Sequence, residues 1–443
     1  MHDLTTGNEG KQIIKFATPM LLGNLFQQTY NFVDSIIVGK FISDEALGAV
    51  GSAFPIIFAL ISFTMGIGSG ATIVISQYFG AKKYKEVVRA IDTIYIMMFV
   101  ASIIVMILGF MFSAPIYRLI NLPPEIMPDA VDYINTFMLG SVLFFGFHAT
   151  SGILRGLGDS VTPLVFLAIA SVANIGLDLL FINVFEWGIK GAAYASIAAQ
   201  GGAFIAAVIY LNRTHKYIKI KFKEIVFDKI IFRESIRIGV PSGFQQTFVS
   251  VGMIALSSIV NRFGANVVSA YAAVNRIDNL AILPSMILGQ ALSTFVGQNL
   301  GAKKTERVKR GLRTTLLVSA SISIVVTILV LVLRYPVMKL FTTNPEIINV
   351  GVKYLVIIST SYLLFSTMFS LNGVMRGAGD TLIPMIITFF SLWLIRVPFA
   401  HFLSLKMGET GIWWSTPISW STGIIFSFLY YKSGNWKKKG VIK

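Results

Sequence analysis

Long apolar runs, separated by short polar stretches, extend over the whole chain. Each run is continuous rather than alternating and holds about 20 residues or more, enough to cross roughly 30 Å of hydrocarbon as an α-helix. Strands of a membrane barrel would alternate between apolar and polar residues instead. The pattern predicts an all-α polytopic membrane protein with twelve transmembrane helices, over residues 13–39, 51–77, 90–112, 131–154, 161–183, 190–211, 235–261, 273–298, 312–333, 351–375, 381–405 and 411–431.

Composition agrees with a membrane protein and narrows the chemistry. Of the 443 residues, 55% are hydrophobic and 13% are charged, whereas soluble domains carry about 25% charged residues. The chain has no cysteine and four scattered histidines, which excludes a disulfide framework and a zinc site. No phosphate loop or nucleophile-and-base set occurs, which argues against a primary pump and against an enzyme. The polar first dozen residues predict no cleavable signal peptide.

The basic residues are distributed unevenly between the two sides of the predicted membrane. With the N-terminus placed on the first side, that side holds 27 lysines and arginines and the other holds 8, while Arg276 and Arg396 lie within spans. Loops rich in Lys and Arg face the cytoplasm, so we expect both termini there. The net charge of +16 then reflects topology and attraction to anionic lipids, and no nucleic acid partner is needed.

The chain repeats itself at an offset of 221 residues. Gly80-Ala81-Lys82-Lys83 recurs at 301–304, and the Arg-Gly-x-Gly-Asp sequence at 155–159 recurs at 376–380. Equal orientation of the two copies predicts two six-helix bundles related by a pseudo-two-fold axis along the membrane normal. The predicted parts are an N-lobe with helices 1–6, a basic cytoplasmic linker and a C-lobe with helices 7–12, over residues 1–211, 212–234 and 235–443.

Two acids, Asp34 and Asp178, fall inside predicted spans of the first half. A charge at such a depth costs about 2.5–3.5 kcal/mol or more and by default marks an ion or substrate path. Asn174 lies four residues before Asp178 and therefore on the same helix face, and Ser196 is a nearby hydroxyl. These oxygens predict a cation-coupling site for Na⁺, or for a proton that two close carboxylates share.

The second half lacks this set, because Ile395 and Phe399 occupy the positions equivalent to Asn174 and Asp178. We therefore expect ion coupling only in the first half. Pro19 in helix 1 predicts a bend, since proline removes a backbone hydrogen bond.

Other polar residues within spans are candidates for the substrate cavity or for gating. We expect Arg276 and Asp278 of helix 8 to pair near a water-filled cavity, with either a functional or a structural role. Arg396 of helix 11 is expected to neutralise a carboxylate across the bundle. The full set of these candidates is Gln28, Tyr30, Asn31, Asn275, Arg276, Asp278 and Arg396.

Taken together, the stretch 28–39 with Asp34, both repeated motifs, the stretch 174–178 and Pro19 resemble the multidrug and toxic compound extrusion (MATE) family, in its bacterial DinF-like branch. The resemblance implies a V-shaped molecule of two lobes around a central cavity. It implies a cofactor-free antiporter that exports cationic or amphipathic organic compounds in exchange for H⁺ or Na⁺, and a monomer in the plasma membrane of a prokaryote. The coupling residues of that branch match Asp34, Asn174 and Asp178, with Ser196 as the hydroxyl.

Two other functions stay open at this point. A flippase for lipid-linked oligosaccharides, from the same wider superfamily, would need a strongly cationic central cavity. A channel or a non-transporting receptor is disfavoured by the duplicated halves and by the paired acids.

Overall fold

The computed structural model describes residues 3–42, 44–119, 122–214 and 224–442. Within these ranges, side chains are described except at positions 31, 32, 34–36, 38–40, 44, 45, 47, 54, 55 and 58–65. The described residues form helices and turns and no strand. The helices are α1 Glu9–Phe41, α2 Asp44–Gly80, α3 Tyr84–Leu119, α4 Met127–Leu139, α5 Ser141–Gly156, α6 Val161–Leu179, α7 Gly188–Thr214, α8 Lys229–Val260, α9 Ala265–Gly301, α10 Thr305–Lys339, α11 Pro345–Ser359, α12 Tyr362–Gly377, α13 Leu382–Phe389, α14 Val397–Met407 and α15 Glu409–Ser433.

These helices group into twelve segments of the described chain. Seven single segments of the described chain are long and apolar enough to cross a membrane, and two bent pairs, α4 with α5 (54°) and α11 with α12 (45°), reach that length together. With α1, α2 and α15, of 33, 37 and 25 residues, the described helices make up twelve segments. The all-α, twelve-helix prediction is thereby confirmed.

Two segments contain a turn of π-helix. Leu180–Val184 continues α6, and Phe390–Arg396 joins α13 to α14. A π-turn interrupts the regular hydrogen-bond ladder and is frequent at functional sites. The candidate residue Asp178 lies two residues before the first π-turn, and the candidate Arg396 is the last residue of the second.

The chain divides into two compact units. Unit 1 comprises Met1–Asp3 and Thr18–Gly243, and unit 2 comprises Leu4–Ala17 and Phe244–Lys443. This division differs from the predicted lobe limits at two places, because the start of α1 packs in unit 2 and the start of α8 packs in unit 1. A sequence repeat cannot reveal which bundle a helix end contacts. The lysine-rich run at 217–223 of the predicted linker lies outside the described residues.

Both units contain the same close helix crossing, built on repeated glycines. In unit 1, a Cβ placed on Gly156 of α5 would lie 2.8 Å from the carbonyl oxygen of Thr72 of α2. In unit 2, a Cβ on Gly377 of α12 would lie 2.3 Å from the carbonyl oxygen of Ser293 of α9. Both glycines and both carbonyl residues are related by the 221-residue offset. Small residues at such crossings let helix backbones touch, as is typical of membrane bundles.

The Arg-Gly-x-Gly-Asp repeats form equivalent helix ends. Gly158 and Gly379 have φ angles of +84° and +86°, a left-handed conformation that glycine adopts without strain. The amide of Asp159 donates to the carbonyl of Leu154 at 2.8 Å, and the amide of Asp380 donates to that of Met375 at 2.9 Å. These bonds complete a Schellman helix end. The motif therefore has a structural role in both halves.

Candidate functional site

The candidate site in unit 1 is built on α6, close to its end. Asn174 and Asp178 are one helical turn apart, and their side chains are 2% and 0% exposed. The π-turn at Leu180–Val184 follows directly. The predicted common face of these two residues is therefore the face that α6 buries inside unit 1, and not a face that it turns to lipid.

Ser196 of α7 joins this pair to α1. The side-chain amide of Asn174 donates to the hydroxyl oxygen of Ser196 at 3.4 Å, and the hydroxyl of Tyr30 lies 3.3 Å from that same oxygen. Ser196 is 6% exposed. Three helices thus contribute polar side chains to one buried cluster. Within the described part of the chain, Oδ1 of Asn174 has no hydrogen-bond partner, so one buried acceptor in the cluster is still available.

The other candidate residues of helix 1 all lie on α1, but the structure describes only some of their side chains. Asp34 lies on α1 four positions after Tyr30, one turn further along the helix, but the side chains of Asp34 and Asn31 lie outside the described residues. Gln28 is exposed and Tyr30 is half-buried. Pro19 lies within the uninterrupted helix α1, two residues beyond Ala17, where the helix passes from unit 2 to unit 1.

In unit 2, the predicted pairing of Arg276 with Asp278 is wrong. The two side chains form no ion pair, and Arg276 is exposed while Asp278 is half-buried. Residues two apart on a helix point to different sides, which explains the difference. The electrostatic neighbours of the Asp278 carboxylate are Arg396 and the hydroxyl of Tyr362. Asn275, the neighbouring candidate, is half-buried.

A second polar cluster therefore lies in the core of unit 2, around Asp278 and Arg396. Among the described residues, Oδ1 of Asp278 and Nε of Arg396 have no hydrogen-bond partner. Beside them, Tyr271, Tyr354 and Trp413 form a buried stack, with the Tyr354 and Trp413 ring centroids 4.1 Å apart. Sequence reasoning missed Tyr362 and this stack. No local signal points to them, since they come from four different helices.

A cavity of about 650 Å³ opens in unit 1 beyond the π-turn of α6, lined by Phe181, Trp187, Lys190, Tyr194, Ile197 and Ala198. Lys190 is already paired with Asp132 at 2.9 Å. Aromatic side chains at the end of a span are typical of the membrane–water interface. We interpret this surface as an interface anchor.

Oxygen atoms dominate the unit 1 cluster. Carboxylate, amide and hydroxyl oxygens suit a hard cation such as Na⁺, and a buried carboxylate also suits a proton. No group of three or more His, Cys, Asp or Glu side chains that would hold a metal ion occurs among the described residues, which do not include the side chain of Asp34.

Comparison with known proteins decides the family. The MatE family model matches residues 19–180 and 241–402, once in each half of the chain. The chain belongs to the MatE family. The double match also confirms the internal duplication, since the two ranges are related by nearly the repeat offset.

Curated relatives support this assignment over the full length. The "Probable multidrug resistance protein YpnP" of Bacillus subtilis (strain 168) is 33% identical over 439 residues, which cover 98% of each chain. The "Probable multidrug resistance protein NorM" of Thermotoga maritima is 28% identical over 445 residues, which cover 98% of this chain and 94% of the relative. This MatE protein is therefore a transporter of a multidrug efflux family and not an enzyme.

Solved structures show the same fold. A MATE protein in the bent conformation has a TM-score of 0.92 at 24% identity and 98% coverage of both chains. A multidrug resistance MATE family transporter in the outward-facing conformation has a TM-score of 0.90 at 23% identity, covering 99% of this chain and 98% of that one. At these identities, the likeness shows that the MatE chain shares their twelve-helix fold.

Proposed function

We propose that this MatE protein is a secondary antiporter that exports cationic or amphipathic organic compounds in exchange for H⁺ or Na⁺. The coupling ion binds in unit 1 at Asp34, Asn174 and Asp178, with the Ser196 hydroxyl beside them. The observation that carries this proposal is the fully buried carboxylate of Asp178, one helical turn beyond Asn174, whose side-chain amide is bonded to the Ser196 hydroxyl. A membrane helix keeps such a charge only at a cost of about 2.5–3.5 kcal/mol or more.

The cluster has the properties that reversible ion binding requires. Asn174 and Ser196 are already linked, so the oxygens are held in place before the ion arrives. Binding of one positive charge neutralises a carboxylate that otherwise stands in a low-dielectric environment. The ion therefore binds strongly to the cluster while the carboxylate is charged. Its release leaves the carboxylate charged and without a cation again.

Exchange follows if ion and exported compound prefer different conformations. A ligand shifts a two-state equilibrium only by its differential affinity for the two states. We infer that α1 mediates this difference, because Tyr30 and Asp34 lie on it and Pro19 has no backbone N–H to donate within it. Candidates for contact with the exported compound are Gln28, Asn31, Asn275, Arg276, Asp278 and Arg396.

The proposed setting is the plasma membrane of a prokaryote, where the protein works as a monomer with both termini in the cytoplasm. The 27-to-8 bias of basic residues supports this orientation. Relatives named as multidrug resistance proteins support export of varied small molecules.

The test uses purified protein in proteoliposomes that contain a fluorescent organic cation. A pH gradient and a Na⁺ gradient are imposed separately, and dye efflux is followed. We expect one gradient to drive efflux in the parent protein, and Asp34→Asn to lower the driven rate at least tenfold. Glu125→Gln, which neutralises an exposed acid of the same unit, is the matched control.

Full gradient-driven efflux by Asp34→Asn would contradict the proposal. The same assay separates the alternatives. A channel would let the dye equilibrate without accumulation against its gradient. A flippase would leave the dye unmoved and would instead translocate a lipid-linked sugar.

A further inference from the structure

The segment Leu4–Ala17 is anchored in unit 2, although the rest of α1 belongs to unit 1. Leu4 is fully buried. Its amide donates to the side-chain oxygen of Gln298 at 3.0 Å, and its carbonyl accepts from the side-chain amide of Asn299 at 3.1 Å. Lys304 donates to the carbonyl of Thr5 at 2.9 Å. The turns and bends at residues 4–7 are thus held at the turn between α9 and α10.

Two arginines of α10 complete this anchor. Arg307 donates to the carbonyl oxygens of Thr6 and Gly7, at 3.1 and 2.9 Å, and to the carboxylate of Glu9 at 3.2 Å. Arg310 pairs with the same carboxylate at 3.1 Å. Glu9 is the first residue of α1, so the pairs fix the position at which this helix begins. Charge-assisted bonds of this kind are stronger than neutral ones.

Unit 1 holds the start of α8 in the equivalent way. Arg89, which corresponds to Arg310 at the repeat offset, lies 3.9 Å from the carboxylate of Asp228 just before α8. Thr93, which corresponds to Thr314, accepts from the Asp228 amide at 3.0 Å. Both halves of the duplicated chain therefore place an arginine, at the same repeat position, beside an acid at the start of a helix. The arginine is Arg310 beside Glu9 of α1 in unit 2, and Arg89 beside Asp228 before α8 in unit 1.

We propose that Arg307 and Arg310 are positioning residues for the coupling site. They fix the first turns of α1 to unit 2, while the part of α1 that carries Tyr30 and Asp34 lies in unit 1. Any bending or straightening of α1 is then confined to the stretch beyond Ala17, where Pro19 lies. This inference rests on the proposed function, because it concerns the helix that carries the coupling acid.

The chain contains no cysteine, which permits a direct test by an engineered disulfide. A Cβ placed on Gly10 would lie 3.7 Å from Cβ of Thr314, within the range of about 3.5–4.5 Å found in disulfides. Gly10→Cys with Thr314→Cys therefore replaces the ionic anchor by a covalent one that reductant removes. Mass spectrometry of the purified protein measures the crosslinked fraction.

The experiment measures gradient-driven dye efflux in proteoliposomes under oxidising and reducing conditions. We expect the disulfide alone to leave the efflux rate within twofold of the parent protein. In the protein that carries the two cysteines, Arg307→Ala with Arg310→Ala is expected to lower the efflux rate at least fivefold under reducing conditions. Under oxidising conditions the disulfide is expected to restore the rate. Arg313→Ala, which removes a charge from an exposed position of the same helix, is the matched control and should have no effect.

Two results would overturn the proposal. One is that the disulfide in the arginine-containing protein stops efflux until it is reduced, which would mean that the segment has to leave unit 2 during transport. The other is that the arginine variant transports at the parent rate without a crosslink. The first result needs no arginine variant, so the test holds even if that variant fails to fold. Neither result resembles a failure of the proposed function. That failure would be seen as full gradient-driven efflux by Asp34→Asn.

Discussion

Replacing Asp178 by asparagine should make the protein more stable and inactive as an antiporter at the same time. The side chain is 0% exposed, and asparagine has nearly the same volume, so no cavity forms. Removing an ionisable group from the membrane interior recovers part of the roughly 2.5–3.5 kcal/mol that its burial costs. We expect a gain of about 1–3 kcal/mol, which raises the Tm of a domain of this size by several degrees.

Transport should change in the opposite direction. A carboxylate that binds a cation through charge-assisted bonds contributes about 1.5–3 kcal/mol per bond, and each 1.4 kcal/mol corresponds to about tenfold in affinity. Gradient-driven efflux by Asp178→Asn should therefore fall by tenfold or more. Efflux in proteoliposomes and thermal unfolding in detergent measure the two effects on the same preparation.

Glu186→Gln is the matched control for this variant. Glu186 is an exposed acid just beyond the π-turn that follows Asp178, and its neutralisation should change neither measurement. The reasoning is refuted if Asp178→Asn retains driven efflux. It is also refuted if the Tm of Asp178→Asn falls, because the carboxylate would then be part of a structural network.

Three further predictions follow from contacts described above. Ser196→Ala removes the hydroxyl that contacts both Asn174 and Tyr30, so the coupling ion should bind about fivefold more weakly (about 1 kcal/mol). Ser196→Thr keeps a hydroxyl and should keep the affinity for the ion. Efflux measured at varied ion concentration gives both affinities. Gly373→Ala should lower the Tm, because its Cβ would lie 2.5 Å from the Gly289 carbonyl oxygen. Gly202→Ala is the control, since a Cβ there would have nothing within 4 Å and the Tm should not change. An unchanged Tm for Gly373→Ala would argue against the close crossing of α9 and α12. Arg396→Gln should destabilise unit 2 by about 1–3 kcal/mol, since it removes the positive charge that lies near the Asp278 carboxylate. Adding Asp278→Asn should recover most of that loss in a thermal unfolding assay.

The sequence predicts the helices and their duplication well, for a physical reason. Every segment that crosses a membrane must be long, apolar and internally hydrogen-bonded, and this requirement is written into consecutive residues. The pairing of Asn174 with Asp178 on one face is equally local, because helical periodicity places residues four apart together.

The features that sequence reasoning missed all depend on distant residues. The charged side chain near Asp278 is Arg396 rather than Arg276, and the separation of these residues along the chain gives no sign of it. The docking of Leu4–Ala17 in unit 2 is another case, because its contacts with Gln298, Asn299 and Arg307 join residues almost 300 positions apart. Bends such as the one between α4 and α5 also depend on what packs against them: a Cβ on Gly140 would lie 2.3 Å from Ile197 of α7.

The glycine crossings have a mechanical implication for each bundle. Where the backbone of α12 lies against carbonyl oxygens of α9, no side chain stands between the two helices that could change its rotamer and absorb a displacement. Such an interface is stiff, and a force applied at one end of the pair is transmitted to the other end with little loss. Helices α2 and α5 meet through the same kind of contact, so each bundle contains one stiff helix pair. We therefore expect deformation within a bundle to occur at its other helix contacts.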